Sequence, residues 1–454
     1  PLFNPYPAPG TLTALDPDII ASATLNVAAP GAELGDATGS VIELATSPAS
    51  DSLTMQGGYT GRAIRQSVAA PLPFIPGNFL VAARADGPAS LSDSHDPRGS
   101  GVSFHDIFAR ATMPVRGGDL EAFAFHSRDQ IAFDALVEQP PLANHAPDAS
   151  PRASTMPNAL SWGTGTDALR WRSAGSTPWE VRAWRTRFDA AFQWDGATSV
   201  RSTYQQLGLS ATTSWHVRSV QIASGVDVRR EDVRYVVSER SDTSATPLAL
   251  HGAPLLVSAF SEARWNMSDR WSAALGLRDP VIAPAGHGIE PRMSIRFTPA
   301  TGISLGVGYS RLHQYVQSLR NEESVVDALA GITLPVVAGS SANGSMVPVA
   351  RADQLALSLD ARLSSTMALS AVAYTRFEDG VTLVAPVSSA PFASSTFATG
   401  AAHARGLSLA PARNGGRVSG ALVCRLSSTS RPAHSRAQPP PFPQHNTTQS
   451  DPRS

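Results

Sequence analysis

Three side chains that could ligate a metal ion lie close together in the segment SDSHD: Asp93, His95 and Asp96. Carboxylate and imidazole groups are common ligands of divalent cations. Because ligands so near one another in a Gly- and Ser-rich stretch do not converge on one ion without distant help, we expect an ordinary polar loop here. The sequence therefore predicts no metal site and no cofactor.

Catalytic chemistry has equally little support. The sequence holds no Walker loop and no H-E-x-x-H helix motif. Ser, His and Asp are plentiful, but abundance without placement is no evidence for a triad. We therefore predict that the chain is not an enzyme, and we assign no catalytic residues.

The totals exclude several further classes. The formal charge of the 454 residues is -1, so nothing favours nucleic acid as a partner. A single cysteine, Cys424, cannot form an intramolecular disulfide or a Cys-based zinc site. The first residues, PLFNPYPAPG, are not a signal peptide, and no apolar run is long enough for a transmembrane helix. A closed β-barrel, whose signal per segment is weaker, stays open.

Strands must position all these residues, because apolar and polar side chains alternate along most of the sequence with a period of two residues. The stretch from Leu255 to Trp265 is typical, with apolar or small residues at every second position and Glu262 and Arg264 between them. Alternation of this kind predicts about seventeen antiparallel strands, near residues 52–58, 62–70, 78–86, 102–113, 119–133, 159–171, 179–194, 203–215, 218–236, 254–266, 271–278, 291–298, 302–312, 353–363, 367–383, 400–411 and 416–427.

The connections between these strands alternate in length. Most connections after even-numbered strands are short turns, and most after odd-numbered strands are long, the longest being 313–352. All long links then lie at one end of the array, which is the layout of outer-membrane barrels.

The stretch WRTRFDAAFQW supports the same interpretation. Its ten steps span about 33 Å along a strand and about 25 Å along a membrane normal at a tilt near 40°. We expect a lipid-facing strip with tryptophan rings at its borders, formed by Trp184, Phe188, Phe192, Trp194, Trp215, Trp265 and Trp271. A soluble β-sandwich also has alternating strands, but its strands are usually shorter, and charged inward residues disfavour a dry core.

Four parts of the sequence resemble TonB-dependent outer-membrane receptors. The first 48 residues resemble the end of the plug domain, and three later stretches resemble successive barrel hairpins. The matching elements are Asn4-Pro5-Tyr6, Asp16-Pro17-Asp18, the Gly-rich turn 31–39, Ser40-Val41-Ile42-Glu43, and the segments 291–316, 350–381 and 404–431.

The resemblance implies an all-β antiparallel transmembrane barrel in the outer membrane of a Gram-negative-type bacterium, with a partial plug at 1–48, an incomplete barrel at 49–430 and a tail at 431–454. The family implies twenty-two strands, and the tail has a disordered composition. We therefore expect a fragment with two unpaired sheet edges that does not transport by itself, and a missing N-terminal segment that would contact an inner-membrane energy-coupling protein.

The resemblance implies that the protein imports an external small-molecule or oligomeric ligand, whose identity the sequence does not give. The loop after residue 312 begins HQYVQSLRNEE, so His313, Tyr315, Arg320 and Glu322 are candidate contacts with substrate, although an ordinary solvated loop is the simpler interpretation. Two alternatives stay open: a passive porin-like or structural barrel, and a soluble β-rich binding or carbohydrate-active protein.

Overall fold

The computed structural model describes residues 16–26, 30–47, 50–60, 63–86, 102–132, 159–194, 198–239, 248–283, 286–318, 335–342, 345–384, 397–413, 415, 419–430, 433–434 and 446–447. Within them one 3-10 turn, Pro17–Ile19, follows Asp16, whose side chain accepts a hydrogen bond from the Asp18 N–H at 3.0 Å. None of the described helical residues forms a helix with the length and apolarity needed to cross a membrane.

The strands are β1 (Ile20–Asn26), β2 (Val41–Thr46), β3 (Thr54–Thr60), β4 (Ala63–Pro71), β5 (Asn78–Asp86), β6 (Val102–Val115), β7 (Gly118–Ala132), β8 (Ala159–Ser173), β9 (Trp179–Trp194), β10 (Thr198–Val217), β11 (Val220–Glu239), β12 (Leu248–Gly252), β13 (Leu255–Asn266), β14 (Trp271–Ile282), β15 (Gly286–His287), β16 (Glu290–Ala300), β17 (Ile303–Gln314), β18 (Val316–Ser318), β19 (Pro335–Val337), β20 (Ser341–Ala342), β21 (Ser345–Met346), β22 (Ala350–Arg362), β23 (Met367–Val384), β24 (Phe397–Arg413), β25 (Gly420–Ala421), β26 (Cys424–Ser430), β27 (Ala433–His434) and β28 (Asn446–Thr447).

The strands from β3 onward form one closed antiparallel barrel, apart from the two small hairpins β18–β19 and β20–β21. Each segment predicted from the alternation overlaps a barrel strand, and the all-β barrel fold is confirmed. Our expectation of two unpaired edges is wrong, because the last short strands lie between β26 and β3 in the closed order. The boundaries at residues 48 and 430 stay predictions.

The connections follow the predicted alternation. Short turns such as 116–117, 218–219 and 301–302 lie at one end of the barrel, which we call the short-turn end. The ends of β7 and β17 and the starts of β8 and β22 lie at the other, which we call the long-loop end, together with the ends of β3 and β9.

The outward face of most strands carries apolar side chains at every second position. Leu357 on β22 is 54% exposed and Leu275 on β14 is 64% exposed. On β13 this band runs from Leu255 to Trp265, which corresponds to about 25 Å along the barrel axis at the usual strand tilt. The two faces of the sheet therefore have the polarity that a lipid-covered barrel requires.

Outward tryptophans lie only at the short-turn end of the described strands. Trp265 ends β13 and donates from its indole N–H to Ser219 at 3.0 Å, and Trp271 begins β14 and stacks on Phe297 with ring centroids 4.2 Å apart. Trp215 has the same outward register as its partner Ile222. Trp171 and Trp179 share this end of the barrel, so the outward tryptophans of the described strands form a one-sided belt.

The predicted girdle is wrong on β9, where the apolar face points into the lumen. Phe188 is 1% exposed and packs with Phe192 in a core cluster, and the Trp184 indole N–H donates to Gln206 at 2.7 Å inside the barrel. The side chain of Trp194 lies outside the described residues. The cause is the short strand pair β18–β19, which folds into the barrel mouth and covers this face.

The core cluster under that strand pair joins wall and loop. Its buried members are Ile131, Leu160, Trp162, Phe188, Ala190, Tyr204, Val233, Val316 and Val337. On the outward side of β9 the alternate positions after Ala183 are polar except for Ala191: Arg185, Arg187, Asp189, Ala191 and Gln193. The long-loop half of β9 thus has a polar outer surface and an apolar inner one, the reverse of its other half.

Candidate ligand-binding site

The connection between β1 and β2 contains residues 30–38, which we call the plug turn, and it lies in the lumen against β11, β13, β14 and β16. Arg292 Nη1 donates to the Pro30 carbonyl at 3.1 Å, and Arg278 Nη1 donates to the Glu33 carbonyl at 3.2 Å. Two arginines of the wall therefore satisfy carbonyl groups that a turn leaves without strand partners.

Carboxylates of the wall complete this attachment. Glu262 on β13 accepts the Ala32 N–H at 2.7 Å and also pairs with Arg264 at 2.6 Å. The arginines themselves are neutralised by Asp227, which contacts both Arg229 and Arg278, and by Glu290, which pairs with Arg292 at 2.8 Å. Buried charges are costly unless they are paired, and each of these arginines has a carboxylate partner, although the Nε atoms of Arg278 and Arg292 bond to no described group.

Gly35 is required where the plug turn crosses Arg278. A Cβ atom at residue 35 would lie 2.5 Å from Arg278 Nε, and the Arg278 side chain is almost fully buried. At Gly31 the nearest atom to a Cβ would be Arg264 Nη2 at 3.5 Å, which is ordinary contact. The glycine at 35 is therefore fixed by close packing, and the glycine at 31 is not.

Asp36 links the plug turn to both the wall and the longest loop. Its Oδ2 pairs with Arg229 Nη1 at 3.2 Å, and its Oδ1 accepts the backbone N–H of Tyr315 at 2.7 Å and that of Val316 at 3.4 Å. Asp36 has a left-handed φ of 60°, which Asp tolerates better than most residues. Burial raises the pKa of the Asp36 carboxyl above its ordinary value, although Arg229 and the two N–H groups act in the opposite direction.

A cavity of about 220 Å³ lies beside this junction at the long-loop end, and we call it the rim cavity. Its lining residues are Gly286, His287, His313, Tyr315, Val349, Arg351 and Asp379. The rings of His313 and Tyr315 lie 6.4 Å apart, so the structure brings these two predicted substrate contacts together. Arg320 and Glu322 lie outside the described residues.

Tyr315 has a hydrogen-bonding group that is not used within the described part of the chain. Its side chain is 2% exposed, and its hydroxyl has no hydrogen-bond partner among the described residues. Burial, with Glu290 and Asp36 nearby, raises the pKa of the Tyr315 phenol, so the hydroxyl stays protonated at neutral pH. The hydroxyl is thus a buried hydrogen-bond donor beside a cavity, the chemistry by which pockets fix the orientation of a ligand.

Catalytic and metal chemistry gain no support. The described residues contain no group of three His, Cys, Asp or Glu side chains placed to hold a metal ion, and the segment with Asp93, His95 and Asp96 lies outside them. The sequence GISLG at 302–306 matches the G-x-S-x-G spacing of a nucleophile elbow, which also needs a strand-to-helix turn. Here Gly302 lies in a hairpin turn and Ser304 lies on β17 opposite Asp360, so the match is coincidental.

The residues that hold the plug turn were not predicted as site residues. Asp227, Glu262 and Arg278 were visible only as charges on the less apolar face of alternating strands. That pattern indicates a polar lumen, but it does not reveal which charges meet a segment 200 residues earlier.

No family model matches this chain, and no curated protein matches it. Solved structures do match. The FrpB iron transporter from Neisseria meningitidis (F3-3 variant) superposes with a TM-score of 0.60 at 11% identity, over 96% of this chain and 70% of that one. The siderophore receptor PirA from Pseudomonas aeruginosa gives a TM-score of 0.57 at 10% identity, over 94% and 81%. The alcaligin outer-membrane receptor FauA from Bordetella pertussis gives 0.54 at 11% identity, over 95% and 70%.

These similarities establish the fold. The chain is a plugged β-barrel with the fold of TonB-dependent outer-membrane receptors, and the fold expected from the sequence resemblance is confirmed.

Proposed function

We propose that the chain is an outer-membrane receptor and importer that binds an external ligand at the long-loop end and admits it through the barrel when the plug turn moves. The single observation that carries this proposal is the position of Asp36. One carboxylate holds the plug turn, the wall residue Arg229 and the start of the loop that lines the rim cavity. A ligand that displaces this loop would therefore act directly on the segment that fills the lumen.

The rival functions are less well supported by the same contacts. A passive porin needs a water-filled lumen, whereas here several buried arginines and carboxylates fix a turn inside it. A soluble binding protein has no use for an outward band with leucines as exposed as Leu275 and Leu357. Energy coupling to an inner-membrane partner stays a prediction of the resemblance.

The names of the similar structures suggest the first ligand to test. Two are called siderophore or alcaligin receptors and one an iron transporter, so the probe is ferric alcaligin labelled with radioactive iron. The full chain is expressed in cells lacking their own iron receptors, and binding to isolated outer membranes is measured. Saturable binding that Asp36→Ala weakens supports the proposal.

The control is Asp18→Asn, which removes another ion pair between plug and wall, with Arg65 at 2.8 Å, without touching the loop. Equal weakening by both variants would show a general loss of plug structure. Recovery of the chain in the soluble fraction without detergent would refute the outer-membrane assignment.

A further inference from the structure

A broad groove of about 970 Å³ runs across the outer wall of the barrel from β5 to β13. Its floor is made of small side chains at Ala109, Ala111, Ala122 and Ala124, and its sides include Phe79 and Leu209. The volume is at the upper end of the range of about 300–1,000 Å³ for small-molecule sites. The groove is therefore large enough for an extended apolar ligand.

The strand register places this groove on the outward surface. Alternate residues of the same strands point into the lumen: Arg110 donates to the Ser47 carbonyl of the plug at 2.7 Å, Trp184 bonds to Gln206, and Arg229 pairs with Asp36. Because successive side chains of a strand lie on opposite faces, the alanines between these positions face away from the lumen.

The edge of the groove toward the long-loop end is basic. Arg185 on β9 and Arg230 on β11 line it, and neither forms an ion pair with a carboxylate among the described residues. Asp167, which also lines it, is engaged by His126 at 3.0 Å. Asp167 is also the cross-strand neighbour of Arg185, so the edge presents two guanidinium groups and one carboxylate above an apolar floor.

Other outward carboxylates nearby do not neutralise these arginines. Asp189 lies 3.8 Å from Arg128, and Asp232 lies 3.3 Å from Arg234. The next outward residue on β9, Arg187, adds a third positive charge on the same side. Arg185, Arg187 and Arg230 outweigh the single carboxylate of Asp167, and this local balance favours an anionic group at this height.

We infer that the groove is a specific binding site for a phosphorylated membrane lipid, with its acyl chains on the alanine floor and its phosphate between Arg185 and Arg230. Guanidinium groups recognise phosphate oxygens in a bidentate geometry, and apolar burial of the chains accounts for the floor. The phosphate lies at the long-loop end of the apolar band, where lipid headgroups meet water. This site is independent of the proposed import function, since it needs only an outward face covered by lipid.

The test uses the full chain, refolded in detergent and freed of bound lipid. Binding of dipalmitoyl phosphatidic acid is compared with that of dipalmitoylglycerol, which has the same chains without the phosphate, by native mass spectrometry. We expect the phosphatidic acid to bind about tenfold more tightly. Arg185→Gln combined with Arg230→Gln should remove this difference and leave the binding of dipalmitoylglycerol unchanged.

Two variants keep the test specific. Arg405→Gln changes an exposed outward arginine above Leu407 on β24, away from the groove, and should have no effect. Ala122→Phe fills the floor and should weaken both lipids. Equal binding of the two lipids by the unmodified chain, or an equal effect of Arg405→Gln and the double variant, would overturn the inference, as would a dimer of the chain that closes the groove to lipid.

Discussion

The carboxylate of Asp36 accepts the backbone N–H of Tyr315 at 2.7 Å, across 279 residues of sequence. This bond connects the plug turn with the loop that lines the rim cavity, and Arg229 holds the other oxygen of the same carboxylate. A change at either end must therefore alter the hydrogen bonding at the other.

The first prediction concerns that bond. Asp36→Ala should leave the N–H groups of Tyr315 and Val316 without an acceptor, which costs about 1–3 kcal/mol per buried group. Hydrogen exchange at these two amides should accelerate, while exchange in β5 and β6 should not change. The matched variant Asp18→Asn should leave the two amides protected, and unchanged exchange in Asp36→Ala would show that the bond does not hold the loop.

A second prediction concerns the close passage of Gly35 under Arg278. Gly35→Ala should push the plug turn away from the wall, because the added Cβ would lie 2.5 Å from a buried guanidinium nitrogen. The conductance of the barrel in a planar bilayer should rise as the lumen opens. Gly31→Ala is the control and should conduct like the unmodified chain; equal conductance of all three proteins would contradict the packing argument.

Third, the buried pair of Arg278 and Asp227 should be far more sensitive than an exposed pair. Arg278→Gln leaves Asp227 with only Arg229 in a buried site, and breaking buried pairs typically costs about 3–5 kcal/mol. Arg234→Gln removes an exposed pair with Asp232, where about 0–1 kcal/mol is usual. Denaturant unfolding in lipid vesicles measures both, and similar losses would show that the lumen network is well hydrated.

The fourth prediction separates ligand binding from stability at two tyrosines. Tyr315→Phe should not reduce the unfolding free energy, since its hydroxyl bonds to no described residue, yet it should weaken ferric siderophore binding about tenfold if that hydroxyl donates to the ligand. Tyr309→Phe loses a bond to Asp353 at 2.8 Å and should show the opposite pattern. Isothermal titration together with unfolding curves distinguishes the two outcomes.

Lipid exposure of the barrel wall gives a fifth prediction. Leu275→Arg should cost about 2–4 kcal/mol of unfolding free energy in vesicles, because it places a charge inside the apolar band. Gln193→Arg, at the end of the polar outer surface of β9, should cost about 0–1 kcal/mol. Equal costs would mean that hydrocarbon does not cover Leu275.

The sequence allowed the strands to be predicted and, for most of them, the lipid-facing side. The stretch from Leu255 to Trp265 is apolar at every second position, and the structure places those residues outward. On β9 the same alternation gave the wrong side, because period two identifies two faces without saying what covers each. Phe188 lies in a core cluster that also contains Val337 of the loop strand β19, and no local pattern indicates that this loop folds inward.

At the candidate site, too, the local sequence predicted some residues and missed the contacts that depend on distant parts of the chain. His313 and Tyr315 were predicted to be substrate contacts from their place at the start of the longest loop, and they do line one cavity; their role in binding stays a prediction. Asp36 was part of a predicted plug turn, but its partners lie 193 and 279 residues away. Contacts over such distances depend on barrel closure and cannot be derived from spacing.

The polar outer surface on the upper half of β9 has a mechanical consequence. From Arg185 to Gln193 the wall continues for about 20 Å along the barrel axis beyond Ala183, with Ala191 as the one small apolar residue on its outer side. The hydrogen-bonded sheet thus rises above the hydrocarbon as a stiff collar that holds the mouth in the aqueous phase. The barrel mouth therefore contacts solutes at a fixed height above the lipid headgroups. Antibodies or other large particles can contact folded sheet there without touching the lipid.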